Sequence, residues 1–259
     1  MSGMEWYLLV AVVLAGFAAG FINTLAGSGS LLTLPLLIYL GLPANVANGT
    51  NRVGILLQNV AGVVEFRRQK VLPLRVGLAL AAPAVIGSLI GAGIAVNLDE
   101  QTMRRAIGAI MVLMLVIMMW RPERWLRGRG EEAARLRWHD FLLLLLVGVY
   151  GGFIQAGVGI LLLGALVLGA GYDLVRANAI KVLVVLAFTI SALGVFLANG
   201  QVQWGVGLLL AIGSVSGAWV AARMAVRRGA GFVRWVVAVV IVASALDMLG
   251  VWRYLSRLL

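Results

Sequence analysis

The chain is a succession of apolar runs broken by glycine, proline or charge, at about Trp6–Ile22, Leu25–Leu40, Ala44–Val64, Leu74–Val96, Met103–Trp120, Phe141–Gln155, Val158–Gly171, Val175–Ala198, Trp204–Ala222 and Val233–Val251. None alternates polar and apolar residues over about ten positions, as a membrane β-strand does. In lipid each segment must satisfy its own backbone, so all ten runs are expected to be helices of an all-α polytopic membrane protein. The first two runs of each half fall short of the roughly 20 residues of a full crossing. Each such pair is therefore either two tilted spans or a re-entrant hairpin whose tip lies at membrane depth.

The same features occur twice in one order. Gly16-x-x-x-Gly20-Phe21-Ile22-Asn23 returns as Gly148-x-x-x-Gly152-Phe153-Ile154-Gln155, and Ala26-Gly27-Ser28-Gly29 as Ala156-Gly157-Val158-Gly159. Ala47-Asn48 is followed by Ala177-Asn178, and Gly87-Ser88-x-x-Gly91 by Gly213-Ser214-x-x-Gly217. Four landmarks in a common order imply an internal duplication, with a first membrane repeat at 1–120, a basic cytoplasmic linker at 121–139 and a second membrane repeat at 140–259. Five segments per repeat is an odd number, so the second copy is expected to enter the membrane in the opposite sense.

Charge placement agrees with that inversion. With the N-terminus outside, fifteen of the 21 Lys and Arg face inward, in clusters such as Arg67, Arg68, Lys70 and Arg75, or Arg223, Arg227 and Arg228. Four (Arg104, Arg105, Arg253, Arg257) face outward, and Arg52 and Lys181 lie within segments. Cations on the cytoplasmic side are the usual topology signal. The turn Gln69–Leu72 is flanked by cations while its counterpart Asn199–Gln203 has none, as expected of opposite sides.

The composition narrows the class further. At 62% hydrophobic and 12% charged, the chain has too few polar groups to coat a water-soluble domain. A net charge of +11 would fit nucleic acid if it formed one basic face, but here it is divided among short clusters. Nucleic acid is therefore not an expected partner, and the lipid bilayer is. Trp6–Ile22 is preceded by Glu5 and lacks the positive n-region of a secretory signal, so it is read as part of the mature protein. No cysteine, no metal motif and no Gly-Lys-Ser/Thr phosphate loop is present, and no cofactor is expected.

Two stretches could carry chemistry. Asn23-Thr24-Leu25-Ala26-Gly27-Ser28-Gly29-Ser30 is polar, uncharged and glycine-rich. It is either a broken helix whose N–H groups and hydroxyls hold an anion, or a tight turn with its hydroxyls bonded to backbone. Near the start of the third segment stand Asn48, Gly49, Thr50, Asn51 and Arg52, and Asn178 and Lys181 occupy its twin. A cation early in the same helix of both repeats is either a substrate contact or a side chain snorkelling to the headgroups.

Acidic residues are few. Only Asp247 lies deep in an apolar run, whereas a proton- or sodium-coupled cation carrier is expected to place carboxylates at depth. An anion suits this inventory better. The Gly-x-x-x-Gly pairs are read as close helix crossings and most tryptophans as interfacial anchors, with Trp219 the exception. The methionines of 111–119 are read as lipid-facing or core filler, and His139 with Asp140 as a surface pair. The sequon Asn48-Gly49-Thr50 lies at a helix start and is given no weight.

The stretch Gly20-Phe-Ile-Asn-Thr-Leu-Ala-Gly-Ser-Gly-Ser-Leu-Leu-Thr-Leu-Pro35, followed by Gly41-Leu42-Pro43 and Ala47-Asn48-Gly49-Thr50-Asn51, resembles the sulfite exporter TauE/SafE family of membrane permeases. The resemblance extends through Gly151–Gly159 and Ala177-Asn178-Ala179-x-Lys181 and covers nearly the whole chain. It implies transport of sulfite or an organosulfonate such as sulfoacetate, often by export. We expect an alternating-access secondary transporter of the cytoplasmic (inner) membrane and not an enzyme. Asn23, Thr24, Gly27, Ser28, Gly29, Ser30, Asn48, Thr50, Asn51 and Arg52 from one half, and Gln155, Gly157, Gly159, Asn178 and Lys181 from the other, are the expected anion contacts. An anion channel and a carrier for another small organic anion are the alternatives. An intramembrane enzyme would need a zinc or paired-acid motif that is absent. The sequence is compatible with protons as coupling ion and with a homodimer, and specifies neither.

Overall fold

The computed structural model describes residues 6–119 and 138–248, and among them every regular element is a helix. In chain order these are α1 Trp6–Leu25, α2 Ser30–Tyr39, α3 Ala44–Arg68, α4 Leu74–Val96, α5 Glu100–Met119, α6 Trp138–Phe153, α7 Val158–Gly164, α8 Leu174–Ala198 and α9 Trp204–Met248. A π-helical turn, Ala165–Gly169, extends α7. Gly229, at φ 70° and ψ −170°, breaks α9. The linker up to residue 137 lies outside the described residues, as do Trp120, Trp125, Trp252, Arg253 and Arg257.

The helix ends follow local chemistry. Pro43 and Pro73, which cannot donate to a preceding turn, immediately precede α3 and α4. The Asp173 carboxylate caps α8 by accepting from the Val175 and Arg176 amides. Asp99 does the same for α5 through the Thr102 hydroxyl and amide, bonds that hold its carboxyl below the usual range.

Leu74–Val96, Leu174–Ala198 and Trp204–Gly229 are long and apolar enough to cross a bilayer. Large side chains on the outer faces, among them Leu14, Leu78, Ile86, Leu146, Ile190 and Ile212, are more than half exposed. Such a surface is unsuited to water and suited to lipid. By contrast α2, at ten residues, is about 15 Å long, and residues 158–169 reach about 18 Å, against a hydrocarbon core of about 30 Å. In each of the α1–α2 and α6–α7 pairs the second helix is therefore too short to cross a bilayer on its own.

Local geometry recurs with a constant offset. The α3 and α8 helices begin at 44 and 174 and end at 68 and 198, while α4 and α9 begin at 74 and 204, each 130 residues apart. The left-handed residues Gly27, Gly41 and Lys70 return as Gly157, Gly171 and Gly200 with the same spacing.

Packing joins the halves crosswise: α1 lies along α9, and α4 along α6. Both crossings use the small-residue pairs. A β-carbon on Gly20 would strike the Ser214 backbone, and one on Gly152 would strike the Ser88 backbone. Gly213 and Gly217 sit just as tightly on Val13 and Phe17, and Gly87 and Gly91 on Leu145 and Val149. Gly20→Val and Gly152→Val are each expected to lower the Tm of detergent-solubilised protein, since overpacking costs about 1–3 kcal/mol. Gly93→Ala and Gly108→Ala, whose added methyl meets nothing within 4 Å, should leave it unchanged or slightly raised.

Candidate functional site

A helix that ends inside a bilayer leaves its last carbonyls without intrahelical partners, and no water is at hand to take them. The ends of α1 at Leu25 and of α6 at Phe153 lie in the interior of the bundle and make the same demand. Each end is met by a fully buried cation from the opposite half. The Lys181 Nζ donates to the carbonyls of Asn23 (2.9 Å) and Thr24 (2.8 Å) and to Asn178 Oδ1 (2.8 Å). The Arg52 guanidinium donates to the carbonyls of Gly151 (3.1 Å), Gly152 (2.6 Å) and Phe153 (3.5 Å) and to Gln155 Oε1 (3.4 Å). Its face stacks on Phe196, with the ring centre 4.6 Å away. A positive charge at the C-terminal end of a helix also complements the helix dipole.

The direct bonds of both cations thus go to backbone and to neighbouring amides. Lys181 uses its three donors this way. Arg52 keeps only Nε unpartnered.

Between the two capped ends, the hairpin tips touch. Gly27, at φ 79°, lies backbone to backbone against Gly159, so that a β-carbon on either would collide with the other. Gly157, at φ 73°, makes the left-handed turn into α7.

The remaining candidates divide into groups. Asn23, Gly29, Ser30 and Asn51 line a small cavity together with Thr33, Gln58 and Ser214. Its volume is about 10 Å³, enough for about one water molecule. Thr33 Oγ1 donates to Asn51 Oδ1 (2.7 Å), which leaves Asn51 Nδ2 unpartnered; Gln58 Nε2 is unpartnered as well. Asn48 joins the α6 end, donating to the Phe153 carbonyl at 2.8 Å. Gln155 is satisfied by Arg52 and, through Nε2, by Thr189 at 2.7 Å. Ser28 is buried with its hydroxyl unpartnered. Thr50 lies apart from these groups, its hydroxyl accepting the Gln203 amide at 2.9 Å.

Two features differ from the sequence-level picture. Asn23 and Thr24 belong to the last turn of α1 and not to the loop; Lys181 meets both carbonyls, and the Gly27 amide also meets that of Asn23. Gln58, Thr33 and Ser214 were not among the expected contacts. Their signal was modest: Gln58 follows Asn51 by seven residues, two helical turns along one face of α3.

A wider pocket of about 430 Å³ opens at the α2–α3 and α8–α9 turns, lined by Leu42, Pro43, Gln203 and Val206 among others. The buried cluster of Val12, Leu37, Leu42, Ala47, Val206 and Leu210 shares Leu42 and Val206 with this pocket and Leu210 with the small cavity. An apolar seal separates the two.

Relatives of the chain share this length and character. It is 28% identical to the probable membrane transporter protein ORF9 of a Sinorhizobium species, over 96% of this chain and 95% of the relative. Identity is 27% with the probable membrane transporter protein YfcA of Escherichia coli K12 (90% and 86%), and 25% with YjnA of Bacillus subtilis 168 (93% and 99%). No solved structure matches. The profile of the family described as "Sulfite exporter TauE/SafE" matches residues 12–248, the whole bundle with both hairpins and both buried cations. The chain belongs to the sulfite exporter TauE/SafE family of membrane transporters.

Proposed function

We propose that this protein is a secondary carrier that moves a sulfur-containing oxyanion, sulfite or an organosulfonate such as sulfoacetate, out of the cell across the cytoplasmic membrane by alternating access. The family description supports the substrate class. The observation that carries the anion reading is a set of buried donors without partners: Ser28 Oγ in the tip of the first hairpin, and Asn51 Nδ2 and Gln58 Nε2 on α3. Buried donors are rarely left bare, and no carboxylate lines the adjoining cavity to repel an anion. Arg52 and Lys181 act on the anion chiefly through their charge.

In this reading the repeats at 1–120 and 140–259, joined by the linker 121–139, are inverted in the membrane and the hairpin tips lie near its midplane. The constant offset of 130 residues and the reciprocal capping of α1 and α6 support that arrangement. The apolar seal closes the outer route, and rocking of the two halves about the Gly27–Gly159 contact opens it.

The test is flux in proteoliposomes. Uptake of labelled sulfite or sulfoacetate is expected to saturate and to be accelerated by the same anion on the opposite side. Flux that rises linearly with concentration and shows no counterflow would make the protein a channel. Saturable counterflow of another organic anion, with none for sulfur oxyanions, would retain the mechanism and replace the substrate.

A further inference from the structure

The two halves are alike in backbone but not in the chamber beside their hairpins. Beside the first half's hairpin, the space between α1, α3 and α9 is polar: Asn51 and Gln58 face it with unpartnered amide N–H groups, and Ser30 and Ser214 add hydroxyl oxygens. The offset of 130 residues places Lys181 at the position of Asn51 and Phe188 at that of Gln58. Lys181 turns away to cap α1, and the Phe188 ring lies against Gly151, where a β-carbon would be 2.9 Å from its edge. Gly151 stands in the second half near where Ala19 stands in the first, and Ala19 is one wall of the polar chamber. The ring therefore fills, in the second half, the space that is a chamber in the first.

We infer that the carrier holds a single oxyanion in a one-sided chamber of the first half, received by the amides of Asn51 and Gln58, with no second site in the other half. The inference rests on the anion-carrier reading and specifies its stoichiometry and a new specificity residue, Gln58. The donors are neutral. Lys181 is bonded to the carbonyl of Asn23, itself a chamber residue, so its charge is felt without contact. An oxyanion head of three or more oxygens matches the two unpartnered amide donors, whereas a cation would meet N–H groups with no carboxylate to balance it. At about 10 Å³ the chamber has to widen to admit that head. Gln58 and Leu210, on its walls, cap no helix end, so that widening at these two leaves the caps in place.

The experiment is calorimetric titration of the purified full-length protein with sulfite, methanesulfonate, nitrate and phosphate. The variants are Gln58→Met, which keeps length and removes the donor, and Gln58→Glu, which keeps shape and replaces the donor with an anion. Wild type is expected to bind one anion per chain, with both variants at least tenfold weaker at unchanged Tm. If Gln58→Met fails to fold, Gln58→Glu carries the same reading. Unaltered affinity in a folded variant, two anions per chain, or no anion bound by wild type overturns the inference. Wild-type binding of sulfite that Gln58→Met retains defeats the chamber while leaving the carrier reading intact. Binding of nitrate or phosphate alone, lost in Gln58→Met, supports the chamber and defeats the sulfur substrate.

Discussion

Replacing Arg52 with methionine is expected to abolish transport and to lower the Tm by about 10 °C or more, and Lys181→Met should do nearly the same. The reason lies in what each cation leaves behind. Arg52 is the donor for the carbonyls of Gly151, Gly152 and Phe153, and Lys181 for those of Asn23 and Thr24, all at helix ends inside the bundle. A buried carbonyl left without a donor costs about 1–3 kcal/mol. Phe153 keeps the Asn48 amide and Asn23 the Gly27 amide, so Arg52→Met bares the Gly151 and Gly152 carbonyls and Gln155 Oε1, and Lys181→Met bares the Thr24 carbonyl and Asn178 Oδ1. Losing two or three acceptor contacts at once therefore takes a large part of the roughly 5–15 kcal/mol by which a folded protein is stable. At about 2–4 °C per kcal/mol for a chain of this size class, the shift is large. Arg52→Lys should be intermediate, because an ammonium cannot serve adjacent carbonyls with the planar fork of a guanidinium or stack on Phe196. Thermal melting with a transport assay on the surviving folded fraction separates two roles. A variant that melts like wild type and only loses its response to anions would show that the cation is a substrate ligand and not a helix cap.

The division between what was legible in the sequence and what was not follows from the range of each interaction. The Gly-x-x-x-Gly pairs were readable because the requirement is local: one face of one helix must lack side chains for a neighbour to approach. The shortness of the first two segments in each half was readable from run length, but the ten-residue extent of α2 came only with the fold. The importance of Arg52 and Lys181 was legible from the cost of burying charge, but their partners were not. Arg52 bonds to carbonyls about 100 residues away, and a carbonyl has no letter in the sequence. Gln58 was overlooked for a related reason. A single amide in an apolar run is ordinary when it bonds back to its own helix, as Asn59 does to the Ile55 carbonyl at 2.7 Å. Only the fold distinguishes Asn59, which is satisfied, from its neighbour, which is not. Repeat symmetry gives no help in the same place: two halves that share backbone conformation at 27 and 157 differ at 58 and 188, where one has an amide and the other a phenyl ring.

The Gly27→Ala variant is expected to be the most damaging of the hairpin substitutions, and the order among its neighbours checks the geometry. Gly27 carries two penalties. Its φ of 79° is left-handed, which costs a residue with a β-carbon about 1–2 kcal/mol. The added methyl would also strike the Gly159 backbone and come within 2.8 Å of the Ile160 nitrogen, neither of which can move without displacing the opposite hairpin. Overpacking of that kind adds about 1–3 kcal/mol. Gly159→Ala keeps only the collision, with the Gly27 backbone, and should be milder. Gly157→Ala keeps the left-handed φ, but its methyl would meet the Met114 side chain, with Sδ at 2.8 Å, and a thioether can rotate aside. Melting temperatures should therefore fall in the order wild type, then Gly157→Ala and Gly159→Ala, then Gly27→Ala. Transport should fail in both variants of the Gly27–Gly159 pair, because in the proposed transport cycle this contact is where the two halves pivot. If Gly159→Ala transported at the wild-type rate despite a lowered Tm, the pivot would lie elsewhere and the tip contact would be packing alone. If Gly27→Ala melted no lower than Gly157→Ala, the backbone collision between the hairpins would not exist in the folded protein.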